Sequence, residues 1–319
     1  MSFLGLDVGG TKVSAAVLED GVLSEPVLHP TRTDSAEALV DQLAEIAQAL
    51  RTPDTEAVGL GIPSAIDFAT GTAKSGVNVP LQGVPLRQLL GERLGLPVFV
   101  DNDANVAALA EAHEGGRLVA RNLVMFTVGT GVGGGLVLDG RLFRGATGAG
   151  AEMGHILIGL DLAKGAPPPA DHFPQPGSLE ALASGSALDE LAQAAAAANP
   201  DGALGRIAAG GEEVTGVEVV RLAKEGDAES VDLLRVLGER LGIGIASAIN
   251  LFDPEEVVVG GGVATAGELL LEPARRAAEG YVLTGVGELA QIRLARHGVR
   301  AGVYGATLLA AQEAGRSDQ

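Results

Sequence analysis

The sequence predicts an α/β protein of two related halves, and three observations carry that expectation. Val128-Gly129-Thr130-Gly131-Val132-Gly133-Gly134-Gly135 is a glycine-packed loop between two apolar, strand-like runs. Leu6-Asp7-Val8-Gly9-Gly10-Thr11-Lys12 has the same layout: a strand, a turn of Gly and Thr, then a second strand. Around both, apolar strands alternate with helix-like segments, the pattern of α/β architecture. At 319 residues the chain suits two domains better than one.

In the first half, Val8 to Leu18 and Val22 to Leu28 alternate as strands around a tight Glu19-Asp20-Gly21 turn. Asp34-Ser35-Ala36-Glu37 has the form of a capping box and opens a helix through Leu50. Ala57 to Ile62 is a strand stopped by Pro63, and Val98-Phe99-Val100 is another that runs into Asp101-Asn102-Asp103. Ala104 to Ala112 is helical in composition. The second half opens with Leu123 to Thr127, the glycine loop, Leu136-Val137-Leu138 and an Asp139-Gly140 turn. Gly159 to Gly177, rich in Pro and Gly, is a loop. Ser184 to Ala198 is an Ala-rich helix, Thr215 and Glu218 cap another, and Ala228 to Leu251 suits a long one. Glu256 to Val259 is a buried strand that ends in Gly260-Gly261-Gly262, with a helix beyond. Ala301 to Ala314 closes the chain as a helix placed to pack back on the first half.

Composition removes several classes of function. The formal charge of −19 opposes nucleic-acid binding and adsorption to anionic membranes, both of which need basic surfaces. With no cysteine, disulfides and thiolate metal sites are impossible. No apolar run is long enough to span a membrane, and Met1 to Asp7 lacks the basic and apolar regions of a leader, so the expected location is cytoplasmic.

The glycine loops point to an anion. Gly129-x-Gly131-x-x-Gly134 fits the dinucleotide fingerprint in form, but that site needs a helix after the glycines, and a strand follows here. Gly5 to Lys12 fails as a Walker A element for the same reason, and its Thr11-Lys12 order is reversed. Gly9-Gly10 alone would be ordinary turn residues. Five glycines within seven residues forgo chain entropy and core packing, which close backbone approach to a phosphate explains.

The chain resembles the ROK family of sugar kinases and related repressors, within the sugar kinase–actin superfamily. Asp7 to Lys12 is similar to the family's first phosphate motif. Val128 to Leu136, continued through Gly145 to Gly154-His155, resembles its signature, and Val258 to Val263 its adenosine motif. The resemblance implies two actin-like (ribonuclease H-like) lobes with ATP and sugar in the cleft between them. The expected division is 1–113 with about 301–319 as the small lobe, and 114–300 as the large one.

The resemblance also assigns roles. Asp103 matches the catalytic base, with Asn102 beside it on the sugar. Asn78, Glu152, His155 and Glu180 match the remaining sugar-binding positions. Gly9, Gly10, Thr11, Lys12, Thr130, Gly131, Gly133, Gly261 and Gly262 fall in the ATP-binding motifs, and Asp7 organises Mg²⁺, through water. The residues by themselves leave other roles open. Asp103 at a strand–helix junction is equally placed to be an N-cap. Asp7 would satisfy the turn that follows it, Lys12 would sit in solvent, Glu152 and Glu180 would be surface charge, and His155 would belong to a core.

One departure from the family is plain. Many ROK proteins carry a cysteine-rich zinc run before the second sugar carboxylate. Aligned on Gly177 and Glu180, those cysteines fall at Asp171, Phe173 and Ser178. His155 with Asp171 or His172 would be a poor remaining ligand set, so no zinc is expected. Pro167, Pro168, Pro169, Pro174 and Pro176 are expected to stiffen the loop instead.

The activity implied by the resemblance is ATP-dependent phosphorylation of a hexose, glucose to glucose 6-phosphate, in a homodimer or homotetramer. The alternatives are a kinase for N-acetylmannosamine, N-acetylglucosamine or fructose, polyphosphate in place of ATP, or a non-catalytic sugar-sensing ROK protein. The repressors of the family carry a DNA-binding domain ahead of the first phosphate motif, which here begins within the first ten residues.

Overall fold

A computed structural model describes residues 1–76 and 78–317. In chain order, strands β1 (Ser2–Val8), β2 (Lys12–Glu19), β3 (Val22–Leu23) and β4 (Val27–Pro30) precede helix α1 (Ala36–Leu50). Strands β5 (Thr55–Ile62), β6 (Ile66–Asp67) and β7 (Thr72–Ala73), helix α2 (Leu86–Leu94), β8 (Val98–Asn102) and α3 (Asp103–Glu111) follow. Next come β9 (His113–Glu114), β10 (Arg117–Leu118), β11 (Leu123–Val128), β12 (Val132–Leu138) and β13 (Arg141–Leu142). Helices α4 (Leu179–Ala183), α5 (Gly185–Ala198), α6 (Ala203–Ala209), α7 (Gly216–Lys224) and α8 (Ala228–Phe252) lead to β14 (Glu256–Gly260). The chain ends with α9 (Glu268–Tyr281), β15 (Gln291–Leu294) and α10 (Ala301–Ser317).

Two compact units result. The first comprises 1–123, 135–151 and 296–319, the second 124–134 and 152–295. The terminal helix belongs to the first unit, whose further segment 135–151 has no counterpart in the sequence pattern.

The first unit is built on a six-stranded sheet ordered β3-β2-β1-β5-β8, with β4 also paired to β2. β1 runs antiparallel to β2 and parallel to β5, and β5 runs parallel to β8. Parallel strands align their carboxyl ends, where α/β proteins hold ligands because helix N-termini and loops converge there. Asp7 of β1 is opposite Gly61 of β5, and Gly61 in turn is opposite Asp101 of β8.

Helix α1 covers one face of this sheet with Leu39, Leu43, Ile46 and Ala47, a helical repeat that buries against Leu4, Leu6, Leu60 and Ile62. Its N-cap is Ser35, whose hydroxyl accepts from the Ala38 N–H, one residue later than the expected capping box. Helix α10 packs on β1, β5 and α3. Its approach is close enough to exclude side chains, since a Cβ on Gly59 would lie 1.9 Å from the Ala306 carbonyl oxygen. One on Gly305 would lie 1.7 Å from that of Val106.

In the second unit, α8 and α9 pack through Gly238 and Gly242, whose added Cβ atoms would each lie 2.4 Å from a carbonyl oxygen of α9. Strands β11 and β14 belong to a sheet ordered β13-β12-β11-β14-β15, and the boundary between the units falls inside β12. No described helix is long and apolar enough to cross a membrane.

Gly305→Ala is expected to destabilise the protein by about 3 kcal/mol, because a rigid backbone neighbour cannot yield to the methyl group. Gly315→Ala on the same helix, with open space around it, should gain about 0.5–1 kcal/mol from helix propensity. Urea unfolding of the two variants tests the contrast, and equal stabilities would contradict this packing.

Candidate active site

In the first unit, the β1–β2 turn is held from within and from outside. The Gly9 N–H donates to the Lys12 carbonyl at 2.9 Å, and the Thr31 hydroxyl donates to the Gly9 carbonyl at 2.6 Å. A Cβ on Gly10 would come within 3.0 Å of Asn78, so Asn78 lies against the turn, in the left-handed conformation (φ 63°) and exposed. A cavity of about 280 Å³ opens beside the turn, lined by Asp7, Gly9, Thr11, Lys12, Ser14 and Arg300.

Asn102 and Asp103 end β8 and begin α3. The N-cap is Asn102, whose Oδ1 accepts from the N–H groups of Ala104 (2.9 Å) and Asn105 (3.2 Å). The capping role that Asp103 was equally placed to fill therefore falls to its neighbour. Asp103 Oδ1 accepts from the Ala104 N–H at 2.9 Å. The Asn102 amide nitrogen donates to the Ser64 carbonyl at 3.4 Å.

Gly61 lies between Asp7 and Asp103: a Cβ there would lie 3.7 Å from both Asp7 Oδ1 and Asp103 Cα, and 2.6 Å from the Val106 side chain. Burial raises the Asp7 carboxyl from its ordinary value to about 6; repulsion from Asp103 adds to the effect and Lys12 opposes it. Burial also raises Asp103, against the hydrogen bonds from the backbone and from Asn102. Among the described residues no three His, Asp or Glu side chains gather into a metal cage. Two hard, mutually repelling carboxylates beside a phosphate-sized turn nevertheless suit Mg²⁺, which takes one or two carboxylates and completes its shell with water and phosphate.

Beneath this pair lies a charged network the sequence did not reveal. Asp101 Oδ2 accepts from Arg144 Nε at 2.5 Å, and Asp101 Oδ1 accepts from the Asn102 N–H and from Asn105 Nδ2, both at 2.8 Å. Arg144 also donates to Glu313 of α10 at 3.1 Å and lies 3.7 Å above the Phe68 ring. Asp101 and Glu313 are 2% and 6% exposed, so Arg144 neutralises two carboxylates where water does not. The backbone N–H of the capping residue is thereby fixed from behind.

In the second unit, the glycine loop curls around Glu180. Glu180 Oε2 accepts from the Val132 N–H at 2.8 Å, and a Cβ on Gly131 would lie 2.3 Å from that oxygen. Glu152 precedes a single 3₁₀ turn at Met153–His155; both Glu152 and His155 are exposed, so His155 is no core residue. Gly261, at φ +90°, passes so close to Val128 that a Cβ would lie 2.4 Å from its carbonyl oxygen.

These turns border a cavity of about 310 Å³ that Gly129, Thr130 and Gly262 share with Ser186, Asp189 and Gly216. Its remaining wall is apolar, from Leu188, Val217, Val220 and Val263. Neither Gly129 nor Gly262 would clash with protein if given a Cβ, so their bareness keeps the cavity open rather than relieving packing. Gly133 lies in β12, half-buried. Val263 ends the predicted adenosine motif, whereas Ser186, Asp189, Val217 and Val220 come from helices α5 and α7 and left no sign in the sequence.

The residues of the 159–177 loop do not fit zinc. Phe173 offers hydrocarbon, and the Ser178 hydroxyl is the N-cap of α4, accepting from Ala181 at 3.2 Å. The predicted site residues thus form two sets, one in each unit. Asp7 to Lys12, Asn78, Asn102 and Asp103 are in the first, and Thr130 to Gly133, Glu152, His155, Glu180, Gly261 and Gly262 in the second.

Two glycine-turn hairpins, one ending beside paired carboxylates and one bordering an apolar cavity, are matched by comparison with known proteins. The sequence model of the ROK family matches residues 3–313. The chain belongs to the ROK family. A ROK relative from Halalkalibacterium halodurans, named glucokinase, is 34% identical over 98% of this chain and 95% of its own length. The ROK hexokinase of Thermus thermophilus has a solved structure that superposes with a TM-score of 0.78 at 37% identity and covers 100% of both chains. A ROK glucokinase from Streptomyces griseus, solved with glucose and AMPPNP, gives a TM-score of 0.76 at 34% identity over 98% of this chain and 100% of its own. The fold is the α/β, two-lobed actin-like fold of these ROK kinases.

Two outcomes follow for stability. Burial pushes the folded Asp7 carboxyl up to about 6 from its ordinary value of 3.8, so the folded state holds the proton more tightly and stability falls as pH rises between those values. Two units correspond to roughly 3 kcal/mol, which partial exposure reduces. Asp7→Asn is therefore expected to raise stability of the ligand-free protein at pH 7 by about 1 kcal/mol and to flatten this slope. Arg144→Met strands two buried carboxylates and should cost about 3–5 kcal/mol. Thermal unfolding across pH checks the first, and urea unfolding at pH 7 the second.

Proposed function

We propose that this protein is an ATP-dependent hexose kinase that phosphorylates glucose on its 6-hydroxyl, with Asp103 as general base. The observation that carries the reading is the carboxylate of Asp103. It is relieved of capping by Asn102, raised by burial and set beside Asp7 at the carboxyl ends of parallel strands. The glucokinase relatives support glucose as acceptor and ATP as donor.

A sugar hydroxyl is a weak nucleophile, and a raised carboxylate is a stronger acceptor for its proton as the bond to phosphorus forms. In this reading Asp103 takes that proton on its carboxylate. Asn78, Glu152, His155 and the second oxygen of Glu180 hold sugar hydroxyls, and Asn102 contributes its amide nitrogen, because its oxygen is committed to α3. Mg²⁺, when bound, supplies charge neutralisation on the donor phosphates, and Asp7 is the residue that would hold it, through water. The Gly9 to Lys12 turn and the Thr130 to Gly133 loop offer N–H groups and hydroxyls to those phosphates. Gly261, Gly262 and the valine-lined cavity accept a planar base. A polyphosphate donor would have no use for that apolar wall, which favours ATP.

A coupled assay on a panel of glucose, N-acetylglucosamine, N-acetylmannosamine and fructose tests the substrate, and glucose should give the largest kcat/KM. Asp103→Asn should lower kcat about 10³-fold while sugar affinity stays within about twofold. In the parent enzyme the acid limb of kcat/KM should lie above the usual carboxylate range, because burial raises the base. Retained turnover in the Asn variant would remove Asp103 from this role, and sugar binding without ATP turnover would end the kinase reading.

A further inference from the structure

The loop between His155 and Glu180 forms a closed circuit. After His155, the chain is stitched to the far end of the loop. The Ile158 and Gly159 N–H groups donate to the Gly177 carbonyl at 2.8 and 3.1 Å, and the Leu179 N–H donates to the Ile156 carbonyl at 2.8 Å. Farther out, one side chain closes the crown. Gln175 Oε1 accepts from the Ala170 N–H at 2.8 Å, while Gln175 Nε2 donates to the carbonyls of Ala170 and His172, both at 2.9 Å. The span held shut in this way carries Phe173, which is 73% exposed yet sets its ring edge-on against the His155 imidazole, centroids 5.4 Å apart.

We propose that Gln175 and Phe173 are positioning residues that fix the His155 imidazole for the sugar without any metal. The proposal rests on the reading of His155 as a sugar contact. A primary amide is suited to this work, because it accepts from and donates to the backbone of one residue and still has an N–H for a second carbonyl. Glutamate at the same position would lack both donors. Three backbone groups of a six-residue span are thus satisfied by one side chain, which removes their alternatives in water. The aromatic edge then limits rotation of an exposed imidazole, which on an open 3₁₀ turn would otherwise sample several rotamers. Pro167, Pro168, Pro169 and Pro176 flank this crown and Pro174 lies within it, while the polar closure is made by Gln175.

The test uses the full chain. Gln175→Ala and Phe173→Ala should each raise the glucose KM about tenfold, with kcat and the ATP KM within about twofold, while Phe173→Tyr retains the parent values. Amide hydrogen exchange across 156–178 should accelerate in Gln175→Ala with no sugar present, and exhaustive EDTA treatment of the parent protein should change neither exchange nor KM. Unchanged KM in both alanine variants, or a chelator-induced rise in KM reversed by zinc, overturns the proposal. If no hexose is phosphorylated, the kinase reading fails by itself; the exchange measurement then decides the clamp, and unchanged protection in Gln175→Ala sinks it.

Discussion

Two carboxylates that repel one another, held close and largely away from water, are the constraint around which the first unit is organised. Asp7 comes from β1 and Asp103 from the start of α3 directly after β8, and the two would separate if their surroundings allowed it. Parallel pairing of β1, β5 and β8 prevents this, with bare Gly61 between them. Helix α10 closes the other side, since a Cβ on Gly302 would lie 2.4 Å from the Asp7 carboxylate. Local donors offset part of the repulsion: Lys12 acts on Asp7, the Ala104 N–H on Asp103. What is left uncompensated is an attraction for a cation and for a proton, the two species a phosphoryl transfer has to place.

The buried Asp101–Arg144–Glu313 network is the counterpart of that tension. Its charges are matched internally, so it contributes rigidity where the Asp7–Asp103 pair contributes reactivity. Adjacent residues at the β8–α3 junction therefore take opposite parts. Asp101 is satisfied on both oxygens, Asn102 spends its oxygen on the helix, and Asp103 is the carboxylate that burial raises.

The sequence made the glycine hairpins, the strand–helix alternation and the residue at the strand–helix junction legible, because each is written within a few neighbouring positions. Periodicity placed α8 to within a residue of its observed end and the terminal helix at its observed start. It did not place Arg144, because its partners lie 43 and 169 residues away and pairing at that distance leaves no repeat to find. The same holds for Ser186, Asp189, Val217 and Val220, which are ordinary helix residues until folding sets them beside Thr130. The cap at Asn102 rather than Asp103 was a local ambiguity that only backbone geometry decides. Gln175 was hidden for another reason: the prolines around it drew the explanation of loop stiffness to themselves.

The placement of α10 has a consequence for biosynthesis. The sheet of the first unit is complete in strands once β8 has been made, yet the helix that covers β1 and β5 spans 301–317. Between them the ribosome must emit the whole second unit, residues 124–134 and 152–295. Until then β1 and β5 lack that apolar cover, as does the face of α3 against which Gly305 seats. The second unit can therefore collapse as a nearly uninterrupted stretch while the older half of the chain waits. The domain made first is the one finished last, and during that interval its uncovered sheet is the kind of exposed apolar surface through which partly folded chains associate.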